Sequence, residues 1–408
     1  MKETTKGTSW GLALLGLNVF EVRVTAHAAP CGSEAPSLTI HGLGSEARAR
    51  ETRVRLRYAL GWDAHRVSVN VEALPEAADA APLDLAIAVA ILRALESSPV
   101  LARMGAAKQE PVAASEATAF VGELCLDGTL QPVRGLLAMI EETGHTIDVT
   151  MRGGPLLLVV PEANRREAEI SSRPGEIRTV RRVTDLFAES TMGRLVPYDL
   201  AALPRETAKH PDLSGSHREV LEVARACPRM LLVGRPGSGK TAIARRLLDG
   251  ASLDAADVRM VAQIHGAAGL QNDRLLAPPF RAPHYTVSET GLVGGGARPR
   301  PGEVSLAHRG VLMLDELCEF KSSSIEALGG VLRAGVTRIS RNDGYFEFPA
   351  VPRYVVAAAN PCACGYGGSS PRRCTCPPEV LRRHEERLRR YADRLGISKR
   401  LDVPEVML

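Results

Sequence analysis

Aromatic side chains make up only 4% of the 408 residues, so burial must come from Leu, Val, Ile and Ala within a hydrophobic share of 45%. Excess charge of one sign is also scarce. The 51 basic and 47 acidic side chains leave a net +4, too little to argue a nucleic-acid partner from charge alone. No apolar run reaches the ~20 residues that span a bilayer, so no membrane partner is expected. The short apolar stretch at 11–17 is followed by Asn18 and Glu21 with no small-residue cleavage pattern. It reads as the lead-in to a first strand rather than as a secretory signal peptide. Internal repeats and low-complexity tracts are lacking too.

The eight cysteines are unevenly spread. Cys31, Cys125, Cys227 and Cys318 are scattered, whereas Cys362, Cys364, Cys374 and Cys376 cluster. Scattered thiols fit a reducing, cytoplasmic setting. In the first region, strands are expected at 20–24, 37–43, 66–72 and 156–160. Helices are expected at 46–60 and 83–95, the second almost wholly apolar and therefore buried. Alternating strands and helices imply a layered α/β domain over 1–190. A proline-bearing linker follows at 191–211, an α/β core at 212–378 and a charged helical tail at 379–408. The tail carries apolar residues at Leu381, Leu388, Ala392 and Leu395, which is helical spacing.

The chemistry is concentrated in three places. Gly234-Arg235-Pro236-Gly237-Ser238-Gly239-Lys240-Thr241 fits G-x-x-x-x-G-K-[ST], between an apolar strand at 230–233 and a helix at 242–248. Gly234, Gly237, Ser238 and Gly239 let backbone N–H groups turn toward phosphate oxygens. Lys240 adds a charge for the β- and γ-phosphates, and the Thr241 hydroxyl can ligate Mg²⁺. A glycine-rich turn that binds nothing is the alternative. The second place is Val311-Leu312-Met313-Leu314-Asp315-Glu316, a buried strand releasing two acids at its carboxyl end. Ligands of open α/β sheets bind at that end. Asp315 would hold the Mg²⁺ shell and Glu316 would polarise the attacking water. The third is Asn360, which closes the apolar strand 355–359. It reads either as a contact to the γ-phosphate and water or as a turn former before Pro361.

Further stretches carry a family resemblance. They are Arg281-Ala282-Pro283-His284, Gly294-Gly295-Gly296, the run from Pro301 to Leu317, and Asn360-Pro361-Cys362-Ala363-Cys364-Gly365-Tyr366. Together they resemble the Mg-chelatase-like AAA+ ATPases of the YifB/ComM type. Val121-Gly122-Glu123-Leu124-Cys125-Leu126-Asp127-Gly128 and the helix with Asp84-Leu85-Ala86-Ile87-Ala88 resemble the amino-terminal domain of that family. The resemblance covers about residues 10–395. It implies a ribosomal-S5/Lon-protease-like α/β domain followed by a P-loop AAA+ core. It also implies ATP and Mg²⁺ as cofactors, assembly into a homo-oligomeric ring, and action on DNA as a branch-migration helicase. The turn Ala80-Ala81-Pro82-Leu83-Asp84 has no serine for a Lon-type Ser-Lys pair, so the first domain reads as non-proteolytic.

The chain departs from the family pattern after the cysteines. The family's Ser-Gly-Pro-Leu-Leu-Asp-Arg-type segment is represented only by Asp393-Arg394, and its helical lid has no counterpart before Leu408. The reading is of a chain truncated at its carboxyl end. Arg394 is either a finger to a neighbour's ATP or a solvated arginine on a charged helix. Arg382, Arg383, Arg387, Arg389 and Arg390 likewise suit phosphate binding or a solvated face, with Glu379, Glu385, Glu386 and Asp393 diluting them. Cys362, Cys364, Cys374 and Cys376 can close a tetrahedral Zn²⁺ site on a glycine-rich loop, or remain free thiols or a redox pair. Two functions follow: a DNA-remodelling P-loop ATPase, or a nucleotide-binding regulatory module that hydrolyses little and joins the ring of a full-length relative. Nothing identifies a tetrapyrrole site.

Overall fold

The structure is a computed structural model. It describes residues 4–61, 65–95, 118–146, 157–173, 176–187, 192–195, 215–270, 277–367 and 373–404. They fall into two compact units. One is drawn from 1–200 with short segments at 266–271 and 342–344, the other from the rest of 201–408. Apart from 192–195, the expected linker lies outside the described residues. Among the described residues, no helix is long and apolar enough to cross a membrane.

The first unit is built on an eight-stranded mixed sheet. Strand β1 (Thr5–Leu15) and β2 (Asn18–Pro30) form a long antiparallel hairpin. β3 (Ser37–His41), helix α1 (Glu46–Leu60), β4 (His65–Glu72) and α2 (Asp84–Ala94) follow. Then come β5 (Thr118–Phe120), α3 (Leu136–Thr146), β6 (Leu157–Pro161), β7 (Ile177–Val180) and β8 (Gly193–Arg194). The spatial order is β8-β7-β6-β5-β1-β2-β4-β3. The stretch at 11–17 is therefore not a lead-in but part of the first strand and its turn. Sequence reading missed β1 because Gly7, Ser9 and Gly11 occupy its buried alternate positions, where apolar side chains would have marked it. Those small residues let α2 lie directly on the strand. A Cβ at Gly7 would sit 2.1 Å from the Ala90 carbonyl oxygen, and Ser9 Oγ donates to the Ala86 carbonyl at 2.6 Å.

Helix α2 is buried as expected, every residue but Arg93. Its first residue, Asp84, is fully buried and held by three donors: Arg55 Nε at 2.7 Å, Thr52 Oγ1 at 3.2 Å and the Leu124 N–H at 3.2 Å. Burial pushes its carboxyl up to about 6 while Arg55 pulls it back. This acid thus ties α2 to α1 and to the backbone at Leu124.

The second unit has a five-stranded sheet, all parallel. Its helix α4 (Gly215–Arg225) leads to β9 (Arg229–Val233) and α5 (Lys240–Arg246). Strand β10 (Phe280–Arg281) and β11 (Val311–Leu314) precede helix α6 (Ser322–Ala334). The hairpin β12 (Val336–Arg341) and β13 (Gly344–Pro349) leads to β14 (Tyr354–Ala359), then α7 (Pro378–Leu395) and β15 (Lys399–Asp402). The spatial order is β10-β11-β14-β9-β15. Successive residues of β9 bury into opposite cores. Met230 and Leu232 join Leu221 of α4 and Ile243 of α5, whereas Leu231 and Val233 join Leu328 of α6 and Leu388 of α7. Helices on both faces explain why these strands read as unbroken apolar runs.

The carboxyl end differs from the expected tail. Tyr391 and Leu395 join Leu388 as the buried stripe of α7, and Leu381 is exposed. Tyr391 escaped the apolar pattern because its hydroxyl is polar, but that hydroxyl is satisfied by the Phe320 carbonyl at 3.1 Å. Sequence spacing gave no sign of β15, whose four residues include Lys399, Arg400 and Asp402. It adds in parallel to β9, and the Val403 N–H donates to the Val233 carbonyl at 2.7 Å.

Candidate functional site

In this sheet β9 and β11 are separated by β14, so the turn after β9, the acids after β11 and the residue after β14 emerge at the same edge. The strand order reverses around β9, with β15 on its other side, which makes a switch-point crevice. Gly234 continues β9 by donating its N–H to the Ala359 carbonyl at 3.1 Å. Gly237 and Gly239 then adopt φ of 79° and 86°, left-handed values that favour glycine. The second opens α5 at Lys240.

Lys240 is buried, and its Nζ donates to the Gly234 and Arg235 carbonyls, both at 2.8 Å, and to Asn360 Oδ1 at 3.4 Å. Burial lowers its pKa below the usual lysine range, and the Asp315 and Glu316 carboxylates partly restore it. Both acids are exposed to solvent, as is Thr241 on the first turn of α5. Glu316 has φ of 51°, one of three non-glycine residues with positive φ among the described residues, and its N–H donates to Asp315 Oδ1 at 2.9 Å. The turn thus brings two carboxylates, an ammonium and an amide oxygen to one crevice. That chemistry suits a polyphosphate with a divalent cation.

Arg394 lies elsewhere. Its guanidinium donates to Ser322 Oγ at 2.7 Å and sits 3.5 Å from Glu326, both at the start of α6. The other tail arginines divide. Arg382 and Arg383 make exposed pairs with Glu386 and Glu379, whereas Arg387 donates to the Phe320 carbonyl and stacks over Tyr391.

The four clustered cysteines do come together. Cys362 Sγ is 3.3 Å from Cys364 Sγ and 3.6 Å from Cys374 Sγ, and all four sulfurs lie within 4.8 Å of one another. Backbone N–H groups of Tyr366 and Thr375 pull the Cys364 thiol down to about 6.

Sequence reasoning missed several supporting residues. His217 on α4 is buried, and its Nε2 lies 2.8 Å from the Ser238 carbonyl oxygen, backing the glycine-rich turn. Its signal was the i, i+4, i+7 spacing of His217, Leu221 and Ala224, the buried face of α4. Arg235 stacks over Tyr366 at 4.8 Å, and His384 Nε2 lies 3.0 Å from the Asn360 carbonyl oxygen. Neither pair has a sequence signature, because each joins segments far apart in the chain.

Comparison with known proteins agrees with these motifs. The family described as "Magnesium chelatase, subunit ChlI" matches residues 212–406, and "Subunit ChlI of Mg-chelatase" matches residues 28–151. An uncharacterized protein of Mycobacterium tuberculosis is 33% identical over 396 residues, covering 93% of this chain and 73% of that one. YifB of Salmonella typhimurium, also uncharacterized, is 32% identical over 411 residues, covering 96% and 75%. The competence protein ComM of Haemophilus influenzae is 30% identical over 386 residues, covering 90% and 71%. Among solved structures, NtrX from Brucella abortus aligns at a TM-score of 0.28 and 18% identity, over 46% of this chain and 36% of that one, too distant to argue from. With α/β units, a five-stranded parallel sheet and the phosphate-site motifs at one edge, the chain belongs to the Mg-chelatase-like AAA+ ATPases of the YifB/ComM type.

Proposed function

We propose that this chain is an ATP-hydrolysing P-loop motor that acts in a ring to remodel DNA. The observation that carries the reading is the position of Lys240, whose ammonium reaches both the turn after β9 and Asn360 after β14. Two features of the turn fit a bound anion. Ser238 Oγ is buried without a hydrogen-bond partner, and a Cβ at Gly237 would meet nothing within 4 Å.

ATP would supply the phosphoanhydride and Mg²⁺ the positive charge beside it. Lys240 would neutralise the β- and γ-phosphate oxygens. The Thr241 hydroxyl and the Asp315 carboxylate would hold the Mg²⁺ shell. Glu316 would orient the attacking water and receive its proton. With its Oδ1 taken by Lys240, Asn360 keeps its Nδ2 to donate toward the γ-phosphate and the water. Arg394 would serve a neighbour's ATP rather than its own, since its contacts are with α6 and not with the turn. Action on DNA, of the branch-migration type, rests on the resemblance of the 281–317 motifs to the family and on the kinship with a competence protein.

Phosphate release at saturating ATP tests the reading, with and without branched DNA. The expected outcome is Mg²⁺-dependent turnover that branched DNA raises more than a linear duplex of equal length. ATP binding without turnover would replace it with a nucleotide-binding regulatory module.

A further inference from the structure

The cysteine cluster joins two segments that both touch the phosphate site. Cys362 and Cys364 follow Asn360 directly, off the end of β14, and Cys374 and Cys376 stand just before Pro378, which opens α7. Around Cys364, the sulfurs of Cys362 and Cys374 lie at 3.3 and 3.6 Å, and those two are 3.6 Å apart. A tetrahedral ion with Zn–S bonds of about 2.3 Å sets its sulfurs about 3.8 Å apart. A disulfide would instead bring one pair to about 2.05 Å and leave the others apart. An iron–sulfur cluster would spread the four thiolates over different metal atoms.

Backbone groups already favour sulfur as an acceptor. Gly367 N–H donates to Cys362 Sγ at 3.1 Å, Cys364 N–H to Cys376 Sγ at 3.3 Å and Cys376 N–H to Cys374 Sγ at 3.5 Å. Four soft thiolates select zinc over harder divalent ions, and a site filled by four protein ligands keeps no open position for chemistry.

What such an ion would hold is visible next to it. Gly365, at φ of 85°, comes so close to the glycine-rich turn that a Cβ there would lie 3.1 Å from Pro236 Cδ. Tyr366 lies under the Arg235 guanidinium. On the other side of the cluster, His384 of α7 hydrogen-bonds the Asn360 carbonyl at 3.0 Å. Gly365 and Tyr366, just after the first cysteine pair, therefore press on the turn that carries Lys240, and α7 fixes the residue that meets Lys240.

We propose that Cys362, Cys364, Cys374 and Cys376 bind one zinc ion as a tetrathiolate clip, and that this clip positions the phosphate turn, so that zinc and nucleotide bind with positive coupling. The coupling rests on the reading of Lys240 and its turn as the ATP site; the metal site does not. Coupling of equilibrium affinities is reciprocal, so each ligand must tighten the other by the same factor.

The test uses the full chain purified without chelator. Elemental analysis is expected to give one zinc per chain, and replacement by Co²⁺ to give a tetrahedral spectrum with thiolate charge transfer from four sulfurs. Cys374→Ser is expected to lose the metal and Cys125→Ser to retain it. Affinity for a fluorescent, slowly hydrolysed ATP analogue is expected to fall about tenfold when zinc is removed, the scale of one lost contact. Zinc affinity measured against a competing chelator should rise by the same factor when the analogue is present. Gly365→Ala, which keeps every ligand but crowds Pro236, is expected to retain zinc and still weaken the analogue. Metal-free protein with four reactive thiols in the cluster, or iron in place of zinc, would overturn the site. Full zinc occupancy with equal nucleotide affinity in loaded and stripped protein would overturn the coupling. Failure of the chain to bind the analogue in either form would fault the ATP reading, and the metal analysis would still decide the site.

Discussion

Asn360 Oδ1 lies 3.4 Å from Lys240 Nζ, across 120 residues of sequence. The pairing is possible because β14 is inserted between β9 and β11, so the strand that ends in Asn360 runs beside the strand that feeds the glycine-rich turn. It links the residue that would sense the γ-phosphate to the residue that would neutralise it.

Lys240→Ala removes the only ammonium of the turn and is expected to weaken ATP binding strongly. A charge-assisted contact to a phosphate is worth about 1.5–3 kcal/mol, or roughly one to two decades of affinity. Asn360→Ala should leave affinity within a few-fold but slow hydrolysis, since it removes an orienting group and no charge. Equilibrium binding of a fluorescent ATP analogue separates the two. Unchanged binding in Lys240→Ala would place the phosphates elsewhere.

Glu316 stands in a left-handed conformation at φ of 51°, unlike an ordinary strand end. For a non-glycine residue this costs about 1 kcal/mol or more, and such strain collects where the backbone must aim a reacting group. Glu316→Gln is expected to keep ATP bound, abolish turnover and leave thermal stability unchanged. Glu316→Gly should abolish turnover as well, yet raise stability by about 1 kcal/mol by relieving the strain. A Glu316→Gly variant that unfolds below the parent temperature would show that the conformation is not strained.

The sequence announced the crevice well and its supports poorly, for physical reasons. Glycines, Lys240 and the acids after β11 are chemically obligatory at short spacing, so a local motif reveals them. Tyr366, His384 and Val403 act through contacts between segments separated in the chain, and no local spacing encodes them; the spacing of His217 marks it as buried on α4 but not as the support of the turn. The same contrast holds for the fold. Strands buried on both faces, such as β11 and β14, read as apolar runs, whereas β1 hides behind the glycines and serine that let α2 approach. Strand β15 is an edge strand with three charged residues in four, which look like solvated tail until its pairing with β9 is known.

Acid should weaken the second unit through His308. This side chain is buried, and its Nδ1 accepts the Val351 N–H at 3.2 Å. Burial first, then the Arg309 charge, lowers its pKa to about 4 from an ordinary 6.5. The folded state therefore keeps His308 neutral where the unfolded chain would protonate it. Its contribution is fully present above pH 6.5 and is lost as pH falls through about 4. The depression from 6.5 to about 4 corresponds to roughly 3–4 kcal/mol. His308→Asn offers an amide oxygen to Val351 and does not titrate, so its stability should fall less between pH 6.5 and 4. Denaturant unfolding at a series of pH values gives the comparison, and parallel curves would assign the acid sensitivity to other groups.

Arg394 supplies the last prediction, because its place in the chain argues for work in trans. Its guanidinium is held by Ser322 and Glu326 at the start of α6, with 31% of the side chain still exposed. A finger needs such an arrangement: enough support to be aimed, and enough exposure to leave a weak pair for a phosphate. The neighbour's phosphate would win, since Glu326 is a mostly exposed partner in high dielectric. If each ATP lies between two subunits, Lys240→Ala and Arg394→Ala should each abolish turnover alone, for opposite reasons. Mixed in equal amounts, they should recover activity. A competent site needs an intact turn from one subunit and an intact arginine from the next, so about a quarter of sites in a randomly mixed ring qualify. Steady-state phosphate release from the mixture, compared with each variant alone, reads this directly. Activity that never exceeds the sum of the two would confine Arg394 to its own subunit, as a brace on α6.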